Sequence, residues 1–510
     1  MDDNSTDSVT STSAARPRSV LVVGGGPAGL VTLRNLVERS KGQFDRVLLV
    51  ERRDDIGGVW YPIIPSENPT TAMNKPQWPS PAYPGLVGNV LPRFLAFSEA
   101  PFPETPSHPH QPFPTLTETY QYLRDFAEPY IKQGNIQLNT EVMRIEELPD
   151  KQGWKVRVRD WSMCDDNDGM PLETEEIWDA VAVCAGYYDK PNWPDTEGLN
   201  QVRKRGLALH AKWWNGPDGY EGKKAIIIGN ANSSNDIASQ LAPVAQKPVY
   251  RSMRRPAAPW FPSLADSRIK NVSAIKKYIL QPAEETDHGM MLEKVTVILQ
   301  DGSEIKDIDV VILGTGYCPH PEFVHVLPIP ADGTANASEI NNKTVSSIVP
   351  IMSYTTPVLP QFRRIPFLHR HILYGYNPSL AFIGAILAMT PFIVADVAST
   401  WLTLAWLGEV SYPDSIDERM AFDRERIAQE SSPDPSSSFV TYGFLGPGDT
   451  ENGGKGGEAE YANDLREDIV RARLDLDAVL PTWDEQAIKE RTEMYPTKYE
   501  ALKWAQMHCV

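Results

Sequence analysis

A glycine-rich turn between a short strand and a helix is the feature that most constrains this chain. Residues 19–23 (SVLVV) are apolar and mostly β-branched, and they predict a strand that runs into the pattern Gly24-x-Gly26-x-x-Gly29. Apolar residues then recur at helical spacing, and residues 46–50 predict a second strand. This combination predicts a βαβ unit in which the missing side chains let the pyrophosphate of a dinucleotide approach the N-terminus of the helix.

Two features after this unit indicate which dinucleotide it binds. Glu51 ends the second strand, where an acidic side chain accepts hydrogen bonds from an adenosine ribose and disfavours a 2′-phosphate. Residues 57–60 (GGVW) match the GGxW element that follows this fingerprint in many FAD-dependent oxidases and monooxygenases, where it passes close to the flavin. We therefore predict FAD as the first nucleotide. The predicted contacts are Gly24, Gly26, Pro27, Ala28, Gly29, Glu51, Gly58, Val59 and Trp60.

A second unit of the same kind begins at residues 224–229 (KAIIIG). Ala231 and Ser234 replace two of its three expected glycines, but both are small enough to permit a close approach. Basic and hydroxyl side chains follow its next strand, residues 248–250, where a 2′-phosphate would need them; a solvated basic turn is the alternative. NADP(H) is therefore predicted over NAD(H). The basic and hydroxyl residues are Arg251, Ser252, Arg254 and Arg255, and the predicted contacts are Gly229, Asn232, Ser233, Ser234, Ser252 and Arg254.

These two units predict an α/β protein with two Rossmann-like dinucleotide-binding domains, the NADPH domain being inserted in a discontinuous FAD domain. The predicted boundaries are a disordered tail at 1–17, a first part of the FAD domain at 18–188, an NADPH domain at 189–316 and a second part of the FAD domain at 317–510. The last part contains a predicted mobile loop at 431–459, rich in Ser, Gly, Pro and Asp, and a helical C-terminal segment.

The segment from Pro62 to Pro114 is rich in prolines and aromatic residues and contains 14 of the chain's 44 prolines. That density prevents long helices, whereas the aromatic side chains are costly to leave in water, so we predict an ordered lining. Residues 380–395 are apolar but include Pro391, and they are shorter than the roughly 20 residues that span a membrane. They predict a buried strand and helix.

Charge and cysteine content exclude several classes of function. The net charge of −18 opposes binding to nucleic acid or to an anionic membrane surface. Four scattered cysteines without a CxxC pair indicate neither a zinc site nor a dithiol redox centre, and we predict no metal. The acidic, Ser- and Thr-rich N-terminus is unlike a secretory signal, so a cytoplasmic protein without an integral membrane segment is expected. The sequence does not indicate an oligomeric state.

The motifs, in this order, resemble those of class B flavin-containing monooxygenases over residues 18–408. The elements that carry the resemblance are residues 24–29, residues 57–60, the GxGNSGxDIA-like stretch at 229–238 and LGTGY at 313–317, which includes the cofactor contacts Thr315 and Gly316. The resemblance implies that NADPH reduces FAD and that O2 forms a flavin C4a-(hydro)peroxide. One oxygen atom would then enter a small organic substrate.

The resemblance also implies roles for single residues. The block YPGLVGNVLP at 83–92 resembles the YxGLxxNxP block of the amine- and sulfide-oxygenating branch, in which the asparagine lies beside flavin and NADP. Asn89 is therefore the candidate catalytic residue and a cofactor contact, with a plain turn asparagine as the alternative. Val142 matches a strand whose backbone contacts the FAD adenine.

A further motif between the two units bears on the branch of the family. Gly206 and His210 match its FxGxxxHxxx pattern, and Trp214 is the residue typical of Baeyer–Villiger enzymes, whereas Asn215 departs from that version. His210 either belongs to the cofactor site or orients the linker between the domains.

Three functions follow from these observations. Oxygenation of nitrogen or sulfur is favoured by the block around Asn89. Baeyer–Villiger oxidation of a ketone to an ester or lactone is the alternative supported by Trp214, and it predicts a cationic side chain over the flavin. A non-catalytic nucleotide-binding flavoprotein would fit the degenerate second glycine motif.

Overall fold

The structure is a computed structural model. It describes residues 16–62, 76, 78–103, 109–164, 170–255, 261–282, 284–285, 291–318, 321–329, 348–354, 364–430, 443–444 and 457–508. The predicted disordered tail, except residues 16–17, lies outside the described residues. So does most of the predicted mobile loop, in which residues 443–444 form a short strand and residues 458–459 already belong to a helix.

Helices and strands alternate within the two nucleotide units, a run of strands lies between residues 136 and 191, and helices dominate the end of the chain. The helices are α1 (Pro27–Arg34), α2 (Leu116–Lys132), α3 (Leu199–Lys204), α4 (Asn232–Leu241), α5 (Pro391–Leu407), α6 (Ile416–Glu430), α7 (Glu458–Ala472) and α8 (Glu485–His508). The strands up to the second unit are β1 (Ser19–Val23), β2 (Arg46–Val50), β3 (Ile136–Gln137), β4 (Thr140–Glu147), β5 (Trp154–Cys164), β6 (Pro171–Trp178), β7 (Ala180–Val183), β8 (Lys190–Pro191) and β9 (Ala208–His210). The second unit and its surroundings contain β10 (Ala225–Ile228), β11 (Val249–Ser252), β12 (Ile269–Val272), β13 (Ile275–Leu280), β14 (Glu284–Glu285), β15 (Met291–Leu292), β16 (Val295–Leu299), β17 (Glu304–Ile308) and β18 (Val310–Leu313). The remaining strands are β19 (Tyr317–Cys318), β20 (Val324–Val326), β21 (Val349–Pro350), β22 (Leu368–His369), β23 (Leu373–Tyr374), β24 (Leu380–Phe382), β25 (Leu387–Ala388) and β26 (Gly443–Phe444).

The first nucleotide unit lies in a seven-stranded sheet of order β22-β23-β24-β7-β1-β2-β3. Strand β1 pairs in parallel with β2 and β7, and four of its five residues are buried, because helices or loops cover both faces of such a sheet. The βαβ unit predicted from residues 19–50 is confirmed.

The second unit lies in a five-stranded parallel sheet of order β12-β11-β10-β18-β9. All its strands fall between residues 208 and 313, whereas the first sheet takes strands from before and after this stretch. The predicted α/β class with an inserted second Rossmann-like unit is confirmed, and the domain boundaries stay a prediction.

A third sheet, of order β21-β20-β4-β5-β6, covers one side of the first unit. Its strand β4 begins beside Glu51, where the Thr140 backbone N–H donates to the Glu51 carbonyl at 2.8 Å. This contact places the start of the third sheet next to the end of β2.

The apolar stretch at 380–395 forms strand β24 and the start of helix α5, as predicted. Helix α5 is buried along nearly its whole length and packs against α1 and α7. No helix in the described ranges is both long enough and apolar enough to cross a membrane.

The described part of the proline-rich segment is an ordered, largely irregular lining. Tyr83, Phe94 and Phe97 are each at most 4% exposed, and the ring of Phe97 stacks on that of Phe392 at 5.2 Å. Residues 78–103 are thereby attached to helix α5, as the aromatic content predicts.

Candidate active site

One cavity of about 770 Å³ lies at the carboxyl ends of β1 and β2, where doubly wound sheets bind their ligands. Most of the predicted FAD contacts line it. The predicted site residues in its wall are Gly24, Gly26, Pro27, Ala28, Glu51, Gly58, Val59, Trp60, Asn89, Val142 and Asn232.

The glycines of the first unit form a cradle that a side chain would fill. A Cβ on Gly58 would lie 2.7 Å from the Cα of Gly26, and a Cβ on Gly29 would lie 1.8 Å from the carbonyl oxygen of Gly24. Gly26 is also the N-cap of α1 and provides no side-chain cap, so the helix N-terminus faces the cavity. This bare, positively polarised surface fits the pyrophosphate of FAD.

Glu51 is 6% exposed and its carboxylate is held by the backbone. Oε2 accepts from the Gly25 N–H at 2.7 Å, and Oε1 accepts from the Arg53 N–H at 3.0 Å. An ionised carboxylate accepts about four hydrogen bonds, which leaves capacity for ribose hydroxyls on the cavity side. The position predicted from sequence spacing therefore suits an adenosine ribose.

Asn89 lies in the cavity wall among apolar and thioether side chains. Val90 and Leu95 follow it along the chain, and α5 and α8 supply further members of the wall. The large apolar and thioether side chains contributed after residue 380 include Phe382, Ile383, Ile386, Leu387, Met389, Phe392 and Met494. The cavity wall therefore combines the Asn89 amide with a large apolar surface.

In the second unit, Ser234 stands where the first unit has Gly29. Its Oγ donates to the carbonyl of Gly314 at 3.3 Å, and that carbonyl is also close to Gly229, where an added Cβ would approach it to 2.6 Å. The serine thus joins α4 to the end of β18 with its hydroxyl. At position 234 the serine thus makes a contact where the fingerprint has a glycine. The turn at Gly229 keeps its glycine, which has a φ of +119°.

The basic cluster after β11 is divided by the structure. Arg251 points inward and donates to Asn235 Oδ1 at 2.7 Å and to Ser263 Oγ at 2.8 Å. Ser252 is 2% exposed, and its hydroxyl donates to the Ser273 carbonyl at 3.0 Å. Arg254 and Arg255 keep exposed side chains, and a contact between Arg254 and a 2′-phosphate stays a prediction.

The prediction that Arg254 contacts the 2′-phosphate implies that Arg254→Ala raises the KM for NADPH about ten-fold, because one charge-assisted bond would be lost. The KM for NADH serves as the internal control and should not change, since NADH carries no 2′-phosphate. Steady-state kinetics with both cofactors measure the ratio, and Arg254→Lys should retain most of it. An equal loss with NADH would assign Arg254 a structural role.

His210, Thr315 and Gly316 meet at the junction of the two units, outside the wall of the large cavity. His210 Nε2 lies 3.0 Å from the Gly316 carbonyl, and Nδ1 accepts from the Lys212 N–H at 3.1 Å. Nε2 therefore carries the proton. Burial lowers the pKa of His210 to about 4, so the ring stays neutral at physiological pH. Thr315 Oγ1 donates to the Asn192 carbonyl at 2.6 Å. His210, Thr315 and Gly316 therefore join the segment between the two units to the end of β18.

Trp214 belongs to the core of the second unit. It is 1% exposed, its Nε1 donates to Gln240 Oε1 at 3.0 Å, and its ring packs beside Tyr220. The residue that favours the Baeyer–Villiger branch in the sequence therefore lies outside the wall of the large cavity.

Two groups of the wall were missed by sequence reasoning. Asp189 joins the units by accepting from Arg52 at 3.0 Å and from Lys212 at 2.8 Å. Met494 and Tyr495 reach the cavity from α8, almost at the end of the chain. Neither contact has a local sequence signal, because each joins segments that are distant in the chain.

Comparison with known proteins agrees with this geometry. Residues 17–261 match the sequence profile of the flavin-binding monooxygenase-like family. Flavin-containing monooxygenase FMO GS-OX-like 9 of Arabidopsis thaliana is 26% identical over 424 residues, which are 80% of this chain and 80% of that protein.

Solved structures share the fold. S-allyl-L-cysteine S-oxygenase from Allium sativum has a TM-score of 0.65 at 22% identity, covering 96% of this chain and 93% of its own. Cyclohexanone monooxygenase, solved with bound epsilon-caprolactone, has a TM-score of 0.53 at 14% identity, covering 89% of this chain and 98% of its own.

The profile match and the relatives identify the chain as a homologue of the flavin-containing monooxygenases. It is an NADPH-dependent flavin monooxygenase, and its cofactors are FAD and NADP(H).

Proposed function

We propose that this enzyme oxygenates a soft nitrogen or sulfur atom of a small organic substrate. The observation that carries the proposal is the position of Asn89, which lies in the wall of the same cavity as the glycine cradle of the first unit and Asn232 of the second. This shared wall supports a position for the amide beside both cofactors.

Residues of this chain fit the parts of FAD. The backbone around Gly24 and Gly26 would hold the pyrophosphate, Glu51 the ribose, and Val142 on β4 the adenine side. Bound FAD supplies the redox chemistry, since it takes two electrons from NADPH and activates O2. The apolar residues around Asn89 exclude water, and the Asn89 amide orients the reacting groups by hydrogen bonding.

The distribution of charge favours heteroatom oxygenation over Baeyer–Villiger chemistry. The arginines of the described wall are Arg52, Arg53, Arg144 and Arg157. All follow Glu51 directly or lie on β4 and β5, and none of the described wall segments around Asn89 contributes an arginine or lysine. Arg53, the one that contacts the GGVW element, donates to the backbone carbonyls of Trp78 at 2.8 Å and Gly58 at 2.7 Å. A cation over the flavin, which the ketone reaction predicts, is therefore not supported.

Three ring compounds of matched size test the proposal: thiane, N-methylpiperidine and cyclohexanone. The purified holoenzyme is incubated with NADPH and isotopically labelled O2, with catalase present to remove free hydrogen peroxide. We expect a labelled S-oxide or N-oxide by mass spectrometry, and none when NADPH is omitted. A labelled lactone from cyclohexanone, with no oxide of the other two rings, would establish the Baeyer–Villiger alternative instead.

A further inference from the structure

One face of the C-terminal helix α8 runs along residues 88–93, which contain Asn89. Three side chains of α8, spaced four residues apart and therefore on one face, each contact this segment. From the outer to the inner end, the contacts are the ion pair between Glu490 and Arg93, the Leu91 N–H to Met494 Sδ at 3.4 Å, and Lys498 Nζ to the Gly88 carbonyl at 2.7 Å.

Lys498 is the unusual member of this face, because its ammonium group is buried. The residue is 8% exposed, and Nζ donates to the carbonyl of Gly88 and, at 3.4 Å, to that of Val87. It also lies 5.0 Å from the centre of the Phe113 ring. Burial lowers the pKa of Lys498 to about 8, and the charge of Asp236 partly opposes that shift. Burying an ammonium is costly unless its donors are used, and here they hold the backbone directly before Asn89.

Helix α8 also borders the cavity. Met494 and Tyr495 are part of its wall, and the Tyr495 hydroxyl lies 3.1 Å from the Sδ of Met389. Helix α8 therefore contacts both the segment that carries the candidate catalytic amide and the space in which a substrate would lie.

We propose that Lys498 is a positioning residue that holds the Gly88 carbonyl and thereby fixes the Asn89 amide toward the cofactors. This inference rests on the proposed function, because it assumes that Asn89 acts on the oxygenation step. In the coupled reaction, NADPH, H⁺, O2 and substrate give NADP⁺, water and oxygenated substrate. In the uncoupled reaction, NADPH, H⁺ and O2 give NADP⁺ and hydrogen peroxide. Lys498 would determine what fraction of the NADPH is consumed in the coupled reaction.

The experiment compares Lys498→Met with the wild-type holoenzyme. Methionine keeps a long unbranched side chain but removes the donors. We expect product formed per NADPH consumed to fall about ten-fold, with hydrogen peroxide accounting for the rest, because a displaced catalytic group loses much of its effect. Anaerobic reduction of FAD by NADPH should decrease less than the coupling does, since the contacts of Lys498 among the described residues are with Val87, Gly88 and Phe113 and do not include the nucleotide cradle.

A second readout does not depend on turnover. Hydrogen–deuterium exchange of peptides covering residues 86–95 should be about ten-fold faster in Lys498→Met, because a backbone anchor is lost. Lys498→Arg, which keeps charged donors, should restore part of both the exchange protection and the coupling. Glu490→Gln is the matched control on the same helix face, since its partner Arg93 is 55% exposed, and it should resemble wild type.

Asn89→Ala separates the two hypotheses. If it leaves coupling unchanged, the role proposed for Asn89 fails and the inference fails with it. If it lowers coupling while Lys498→Met leaves both coupling and exchange at wild-type values, only the inference about Lys498 is overturned. A Lys498→Met protein that exchanges faster along the whole chain, and that Lys498→Arg does not rescue, would show general destabilisation and also contradict a positioning role.

Discussion

Gly29→Ala is expected to abolish FAD binding. The added Cβ would lie 1.8 Å from the carbonyl oxygen of Gly24 and 3.4 Å from the Cβ of Cys184. The backbone at Gly24 has little room to shift away from this Cβ. Gly24 has a φ of +109°, and a Cβ built on it would lie 2.8 Å from the Cys184 carbonyl oxygen, so the strands are closely packed here. Helix α1 must therefore move away from β1 and β7, which takes its N-terminus out of reach of the pyrophosphate.

The ratio of bound FAD to protein, from the visible and ultraviolet absorbance of the purified variant, measures this effect. We expect a decrease of more than about ten-fold, since the third glycine of this fingerprint permits the close helix–strand packing. Circular dichroism shows whether the apoprotein retains its helices. A Gly29→Ala protein with full FAD content would disprove the assigned role of the cradle.

The equivalent position of the second unit provides a matched control. Ser234→Ala keeps the Cβ that this site already accommodates and removes one hydrogen bond of 3.3 Å to Gly314. FAD content should stay at the wild-type level. The two variants differ because of local geometry. At Gly29 there is no room for a Cβ beside the Gly24 carbonyl, whereas the equivalent position in the second unit already accommodates the side chain of Ser234.

The first nucleotide unit is the part of the molecule most fully predicted from sequence. Strand β1, helix α1 and strand β2 are joined within residues 19–50, and Glu51 contacts Gly25 only 26 positions away. Short-range patterns determine such a unit, because hydrophobic period and turn chemistry act within the same segment. The motif predicts the order and packing of β1, α1 and β2, and the structure adds the distances between their atoms.

Side chains that face long-range partners are less predictable. Arg251 and Ser252 follow β11 where a phosphate site is expected, yet both side chains are used inside the second unit. Trp214 fills the core of that unit, although its type indicates a branch of chemistry. Residue type alone does not show which way such a side chain points, since that depends on the strand and helix packed against it.

Asp396 shows the same principle in helix α5. In the sequence it only interrupts an apolar stretch, but in the structure it is fully buried and joins α5 to α1 and to the lining. Its Oδ1 accepts from Arg34 at 2.9 Å, and its Oδ2 accepts from the backbone and hydroxyl of Ser98 at 2.6 and 2.7 Å. Arg39 is a second buried cation, 3.8 Å away. A charge within an apolar helix predicts a buried partner, and only the fold identifies it.

Asp396→Asn is expected to destabilise the flavin-binding region by about 3–5 kcal/mol, because it leaves buried guanidinium groups without their carboxylate. The melting temperature, followed by the fluorescence of released FAD, should fall by about 10 °C. Asp45→Asn is the matched control, since the Arg18–Asp45 pair is largely exposed and should contribute little. Asparagine has nearly the size of aspartate, so a large decrease would come from the lost charge. Equal melting temperatures for the two variants would mean that hydrogen bonds to Ser98 hold the lining against α5, and that the ion pair contributes little.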